Sequence, residues 1–326
     1  MPIELTVQAD DAGRRLDRIL RKALPDMRLS LLHRLLRQNK VSVDGKHAAA
    51  GFRVRAGQRI SIAGITGDRR EGPRLPPASE ARRPVPPASA SGLDIIQEGC
   101  GLLVLNKPVG LAVHGRNSLD SRVQDYLTGR LRPSLSFRPG PLHRLDTGTS
   151  GIIVFSTSLE GARCFSALIR EGKVRKRYLA LVDGLIGGPE LWEDSLVRDR
   201  DGRKTLVAAS LAAEEAGGAK KARTAVRPLA VSETGYTLIL AEIETGRTHQ
   251  IRSQAASRGH PLAGDLKYGG SFQAGGFFLH AFSLDTDGNS PEMPLSVTAA
   301  PPERFLKKIA EIFDDECYFN FFHGIL

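Results

Sequence analysis

The stretch His143-Arg144-Leu145-Asp146-Thr147-Gly148-Thr149-Ser150-Gly151 sets one carboxylate, Asp146, in a polar, glycine-bearing loop just ahead of the apolar run Ile152–Phe155. A loop at a strand edge is where a fold can hold a reacting group in place and still leave it accessible. The chemistry open to such an aspartate is nucleophilic. A carboxylate can attack, hold one half of a split molecule covalently or electrostatically, and leave again. The same residue types also make ordinary turns and helix caps, so Asp146 has to be weighed together with the groups that could serve it.

Three further segments qualify. Asn106-Lys107-Pro108-Val109-Gly110 follows the strand candidate Leu102–Leu105. Taken alone it reads as a structural turn with a solvated lysine. Lys176-Arg177-Tyr178-Leu179-Ala180 reads as a strand, in which Tyr178 is by pattern a β-favouring core aromatic. Thr245-Gly246-Arg247-Thr248-His249-Gln250-Ile251-Arg252 opens a helix and is followed by Gly259-His260-Pro261-Leu262-Ala263-Gly264-Asp265.

In order and spacing, these segments resemble the RluA family of pseudouridine synthases. The nucleophile segment matches all seven specified positions of the family signature His-Arg-Leu-Asp-x-x-Thr-Ser-Gly. The other segments resemble the family's Asn-Lys-Pro-x-Gly, Lys-x-Tyr-x-Ala and Arg-containing third motif, and Leu279-His280-Ala281 fits a late one. The resemblance covers about residues 95 to 285. It implies that Asp146 is the nucleophile of an enzyme that isomerises uridine in RNA. It implies that Tyr178 stacks on the target base and is a candidate to move the proton on carbon 5, since a phenol offers both an aromatic face and a proton-transferring oxygen. Arg252 corresponds to the arginine that pairs with the nucleophile, where a guanidinium would fix the carboxylate oxygens. Arg247 could make that pair instead or touch RNA. Arg144 would fill the stack vacated by the flipped uridine, and Lys107 and His143 complete the expected substrate side. His249 is expected to hydrogen-bond rather than act as a base. Two departures stand out. Ser253-Gln254 occupies the place of the family's Val-His, so Gln254 would have to take over that histidine's hydrogen bonding. Val226 also stands where an aromatic is common.

The implied reaction breaks the bond between N1 and C1′, turns the base and joins C5 to C1′. Nothing is oxidised or transferred away, so no cofactor is expected. The sequence likewise carries no Rossmann fingerprint and no P-loop. Cys100, Cys164 and Cys317 are far apart and the eight histidines form no ligand pattern, so no metal is expected. The residues leave open whether Asp146 adds to C1′, adds to C6 or acts through a glycal.

The elements that must position this chemistry read as an α+β body of residues 93–326. Its expected architecture is a pseudouridine synthase fold with a large mixed, mostly antiparallel sheet. Strand candidates are Leu102–Leu105, Ile152–Phe155, Tyr178–Val182 and Tyr236–Ile243. One helix is expected from the N-cap Ser158 to Glu171, with Ala162, Phe165, Leu168 and Ile169 inward, and another from about Thr248 to Ser257.

Residues 1–63 read as a separate small α/β unit. Leu16, Ile19, Leu20 and Leu24 share a helical face, with Arg14, Arg15, Arg18, Arg21 and Lys22 around the rest. Ser30 is a candidate N-cap for a second helix, with Leu31, Leu32, Leu35 and Leu36 inward and Arg34 and Arg37 outward. Val41 and Val43 lead to an Asp44-Gly45 hairpin turn. Arg15-Leu16-Asp17 and Gln38-Asn39-Lys40-Val41-Ser42-Val43-Asp44-Gly45 resemble the alpha-L RNA-binding domain of ribosomal S-four type. That resemblance implies RNA phosphate contacts from Arg14, Arg15, Arg18, Arg34, Arg37 and Lys40. Such a domain on an RluA-type body resembles the large-subunit ribosomal RNA enzymes, the type C branch above all.

Charge placement fits that division. The chain of 326 residues carries a net charge of +10, of which residues 1–92 hold +9 and the rest +1. A basic module on a near-neutral body suits a polyanion partner. Residues 64–92, rich in proline and arginine, read as a linker. The expected partner is structured RNA, either large-subunit ribosomal RNA or its assembly intermediate. No apolar run could span a membrane and no signal peptide is evident. A cytoplasmic monomer is the corresponding expectation. Three rival readings fit parts of the sequence: a tRNA pseudouridine synthase, a noncatalytic ribosome-assembly factor on the same fold, and a glycoside hydrolase. The last needs a second carboxylate, for which Asp265 or Glu244 could stand. The aromatic tail from Phe313 to Leu326 has no functional reading.

Overall fold

A computed structural model describes residues 2–64, 92–131, 133–199, 204–208, 218–286 and 293–313. Most of the expected linker and the tail beyond Phe313 lie outside the described residues.

The N-terminal unit is built from β1 (Ile3–Thr6), α1 (Leu16–Ala23), α2 (Leu29–Arg37), β2 (Val41–Val43), β3 (Lys46–His47) and β4 (Arg59–Ile62). Its strands form an antiparallel sheet in the order β1-β4-β2-β3. The expected inward leucines Leu16, Leu20, Leu32, Leu35 and Leu36 meet Val41, Val43, Ile60 and Ile62 in one core. The Asp44-Gly45 turn takes positive φ at both residues, as a tight two-residue hairpin requires. Two helix starts differ from expectation. Arg28, not Ser30, is the N-cap of α2; its carbonyl already accepts from the Leu32 N–H, which puts Ser30 inside the first turn. Helix α1 begins only at Leu16, so Arg14 and Arg15 precede it rather than decorate its face.

The body holds one sheet of eleven strands in the order β11-β10-β12-β13-β9-β14-β8-β6-β5, with β15 beside β14 and β7 beside β8. These are β5 (Ile95–Gly99), β6 (Leu102–Lys107), β7 (Gly140–Pro141), β8 (Ser150–Ser156), β9 (Val174–Asp183), β10 (Glu190–Asp199), β11 (Lys204–Val207), β12 (Lys220–Val231), β13 (Tyr236–Ile243), β14 (Leu279–Thr286) and β15 (Ser296–Thr298). The pairings are antiparallel except that of β14 with β8. The sheet is therefore mixed and mostly antiparallel, as expected. Helices α3 (Leu119–Leu127), α4 (Leu159–Arg170), α5 (Gln250–Ser257) and α6 (Glu303–Ile312) lie against it.

The period of two along β9 divides the core. Tyr178, Ala180 and Val182 join one cluster with residues of α3 and α5, while Leu179 and Leu181 join another with Phe305 and Ile309 of α6. Strand β8 is buried along its whole length, which is why it reads as a continuous apolar run. At its start Gly151 has φ +104, and a Cβ there would lie 2.2 Å from the Ala281 carbonyl oxygen. Only glycine lets β14 run this close to the end of the Asp146 loop. Among the described residues no helix is long and apolar enough to cross a membrane.

Candidate active site

Three elements converge on Asp146. Its own loop runs into β8. Strand β9 is two strands away, so Tyr178 pairs with Ala281 on one side and Ala241 on the other. Helix α5 follows β13 and carries Arg252. Together they line an open pocket that includes Arg144, Asp146, Tyr178, Arg247, His249 and Arg252.

Arg252 is the hub. Its Nη1 donates to Asp146 Oδ2 at 3.0 Å. Its Nε and Nη2 donate to Asp265 Oδ2 and Oδ1 at 2.6 and 2.9 Å. Asp265 is 1% exposed, and its two oxygens grip the Nε–Nη2 edge of the guanidinium as a bidentate pair. The guanidinium also lies 4.3 Å over the Phe277 ring and 5.0 Å over Tyr268. One arginine thus presents a single free edge to Asp146, and it stays firmly protonated: burial opposes the charge, but the two carboxylates raise its pKa overall.

A second chain of contacts reaches Asp146 from the other side. Tyr268 Oη accepts from the Thr205 N–H at 2.8 Å and meets His249 Nδ1 at 2.8 Å. With the phenol donating to Nδ1, the histidine carries its proton on Nε2, 3.6 Å from Asp146 Oδ2. His249 sits at φ 52 as the residue just before the first turn of α5. Burial pushes its pKa down, against the pull of Asp146. Burial likewise raises the Tyr178 phenol, and the nearby Asp146 charge adds to that.

Some expected site residues lie elsewhere. Lys107 does not reach the pocket. It is fully buried, and its ammonium donates to the carbonyls of Pro108, Leu111 and Thr147 at 2.9, 2.9 and 3.2 Å. Burial lowers its pKa to about 8, with Asp146 pulling the other way. It ties the Asp146 loop to the turn after β6 instead of facing a ligand. His143 accepts from the Val154 N–H through Nε2 at 3.1 Å, so it braces β8 and must be neutral there. Burial takes its pKa down to about 3. Arg247 lines the pocket with its Nε on the Lys221 carbonyl, not on Asp146. Gln254 is buried, bonding Thr224, the Trp192 carbonyl and Asp194, so it anchors α5 to β10 and β12.

In the N-terminal unit Arg18, Arg34, Arg37 and Lys40 are exposed. Arg15 is paired with Asp17. Arg14 points away from that solvent face: it is half-buried and donates to Ser136 Oγ of the body at 2.7 Å. The two carboxylates considered for hydrolysis do not fit that role. Asp265 is sealed behind Arg252, and Glu244 is an exposed partner of Arg223.

Asp265 enters the sequence reading only as the end of the third motif and as a carboxylate for the hydrolase rival, and Tyr268 and Phe277 do not enter it at all. The clue to Asp265 was its place at the end of the third motif; nothing local marked Tyr268 or Phe277.

A family model described as RNA pseudouridylate synthase matches residues 101–257. The Vibrio vulnificus protein named ribosomal large subunit pseudouridine synthase C is 32% identical over 323 residues, covering 94% of this chain and 95% of that one. The Nitrosomonas europaea protein named ribosomal large subunit pseudouridine synthase D is 36% identical over 271 residues, covering 82% and 72%. The solved human RNA pseudouridylate synthase domain containing 1 superposes with a TM-score of 0.53 at 27% identity, covering 71% of this chain and 90% of that one.

Proposed function

The chain belongs to the RluA family of RNA pseudouridylate synthases, and we propose that it isomerises specific uridines of large-subunit ribosomal RNA with Asp146 as the nucleophile. The observation that carries this reading is the Asp265–Arg252–Asp146 arrangement at the pocket, with Tyr178 in the same wall. Residues 93–326 act as the catalytic domain and residues 1–63 as the RNA-binding domain.

In this reading a uridine leaves its stack, at a cost of about a few kcal/mol, and enters the pocket. Arg144, exposed at the rim, takes the vacated place by stacking and phosphate contact. Tyr178 lies against the base. Asp146 attacks with its Oδ2 held by Arg252, and the His249 imidazole stands 3.6 Å from the same oxygen. The N1–C1′ bond breaks, the base turns, C5 joins C1′ as Asp146 is released as a free carboxylate, and the proton leaves C5, with Tyr178 as the candidate to move it, while N1 takes one up. The reaction is an isomerisation and draws on no cofactor. The ribosomal substrate is supported by the names of the relatives over nearly the full chain and by the basic exposed face of Arg18, Arg34, Arg37 and Lys40.

The test uses unmodified large-subunit ribosomal RNA carrying tritium at uridine C5. Release by the wild type but not by Asp146→Asn, with RNA binding kept by both, is the expected result. Release from tRNA alone would move the substrate to tRNA. Binding without release from either RNA would sink the catalytic reading and favour an assembly factor.

A further inference from the structure

The N-terminal unit and the body are joined by a polar contact that the chemistry above does not use. Asp11 is fully buried and turns its carboxylate to the body loop Ser134-Leu135-Ser136. Oδ1 accepts from the Ser134 hydroxyl at 2.8 Å, the Ser136 N–H at 3.0 Å and the Ser136 hydroxyl at 2.6 Å. Oδ2 accepts from the Leu135 N–H at 2.8 Å and, more weakly, from Gln8 N–H of its own unit at 3.3 Å. Arg14 closes the cluster through Ser136 Oγ. Between the two serines, the Leu135 side chain packs against the core of the N-terminal unit. A body loop therefore plugs into the small unit with an apolar tooth set between hydrogen-bonded flanks.

The position of this loop gives it a consequence. It leads through β7, which pairs with β8, directly into Arg144 and Asp146. The Pro139 carbonyl on the way accepts from Gln124 of α3 at 2.7 Å. Two units joined only by a flexible tether would sample many separations, and an RNA gripped by one would offer the other many nucleotides. A buried carboxylate matched by four donors from the body removes that freedom, because charge-assisted bonds of this kind are strong and a mismatch there leaves buried polar groups unmet.

We propose that Asp11 is a positioning residue: its latch to Ser134-Leu135-Ser136 sets the distance between the basic face of the N-terminal unit and the pocket, and so determines which uridine of a structured RNA reaches Asp146. The partner is an RNA large enough to touch Arg18, Arg34, Arg37 and Lys40 while one nucleotide occupies the pocket. This role rests on the RNA-modifying reading above; the latch itself does not.

Asp11→Asn sets an amide N–H₂ against donors, and the double variant Ser134→Ala with Ser136→Ala removes two of the four body donors, the hydroxyls, without touching the small unit's core. Three quantities are measured in the full chain: amide hydrogen exchange of Leu135 and Ser136, kcat and KM on a large-subunit ribosomal RNA fragment, and the map of modified uridines. The expected result is faster exchange at both amides, KM raised about tenfold for the loss of a charge-assisted bond, kcat unchanged, and modification spread to extra positions. Unchanged exchange would overturn the latch. Released exchange with unchanged KM and map would overturn its role in placing RNA. A fall in kcat alone would also overturn it, since the loop would then support Asp146 rather than RNA. A wild type that forms no pseudouridine would instead strike the functional reading, while the exchange data would still decide the latch.

Discussion

Asp265 holds Arg252 by two bonds, at 2.6 and 2.9 Å, and leaves the guanidinium only Nη1 to offer Asp146. The aspartate that faces the pocket is thereby aligned by one that never sees it. A guanidinium gripped on one side cannot rotate, and small errors in the placement of a reacting group are expensive in rate.

Asp265→Asn is therefore expected to lower kcat about a hundredfold while RNA affinity stays within about twofold, because the residue is sealed from the pocket and uniform binding is untouched. Stability should drop by about 2 kcal/mol, less than for a fully orphaned buried ion because Asp146 still pairs with Arg252. Tritium release at saturating RNA and a urea melt check both halves. A raised KM with normal kcat would contradict the alignment role.

Tyr268→Phe removes the hydroxyl that joins the Thr205 N–H to His249 Nδ1. The imidazole loses the bond that keeps its proton on Nε2, so the share of rings facing Asp146 with a donor falls. Activity should drop about tenfold, the effect of one charge-directed hydrogen bond. Nitrogen chemical shifts of His249 should change from a protonated Nε2 to a mixture of tautomers. A single unchanged tautomer in the variant would dismiss Tyr268 as the lock.

Lys107→Met should cost about 1 to 3 kcal/mol of stability and reduce turnover, since it removes the buried ammonium that ties together the carbonyls of Pro108, Leu111 and Thr147. Its Thr147 bond is next to Asp146, so the loss falls on the Asp146 loop. Urea unfolding and kcat read the outcome. RNA affinity should be unchanged, because the ammonium does not face the pocket.

Acid should weaken the fold through its buried histidines before it touches the carboxylates. His280, fully buried between Ser150 and the Ala299 carbonyl, has its pKa lowered to about 4 from an ordinary 6.5 by burial. The unfolded chain therefore takes up a proton below about pH 6.5 that the folded chain refuses until about pH 4. Stability is complete above that window and falls with pH within it. His280 alone should cost about 2 kcal/mol between pH 7.5 and pH 5. His143, displaced in the same direction, adds to the slope. Urea midpoints across this range measure the effect, and a flat profile would refute it.

The sequence by itself carried the residues that gather at the pocket. Asp146, Tyr178, Arg252 and Arg144 stand in short motifs whose residue types survive as local strings, and all four line one pocket. It also carried the elements nearest those motifs: Tyr236–Ile243 is found as read, and Ser158 caps α4 by accepting from the Gly161 N–H. Helix boundaries were less legible. The α2 start moved from Ser30 to Arg28 because a cap is decided by backbone bonds as well as by side-chain preference.

What only the tertiary structure decided is partnership across distance. Lys107 and His143 look like ligand-facing groups in their motifs, yet burial turns both toward backbone. Asp265 becomes the aligner of Arg252, and Tyr268 and Phe277 become walls of its seat, through contacts that no periodicity encodes. Arg14 and Asp11 serve a joint with residues more than a hundred positions away. The physical reason is common to all of them. Hydrogen bonds and burial depend on which strands the sheet brings side by side, and the order β9-β14-β8 that gathers Tyr178, Leu279 and the Asp146 loop is set by long-range pairing rather than by any local string.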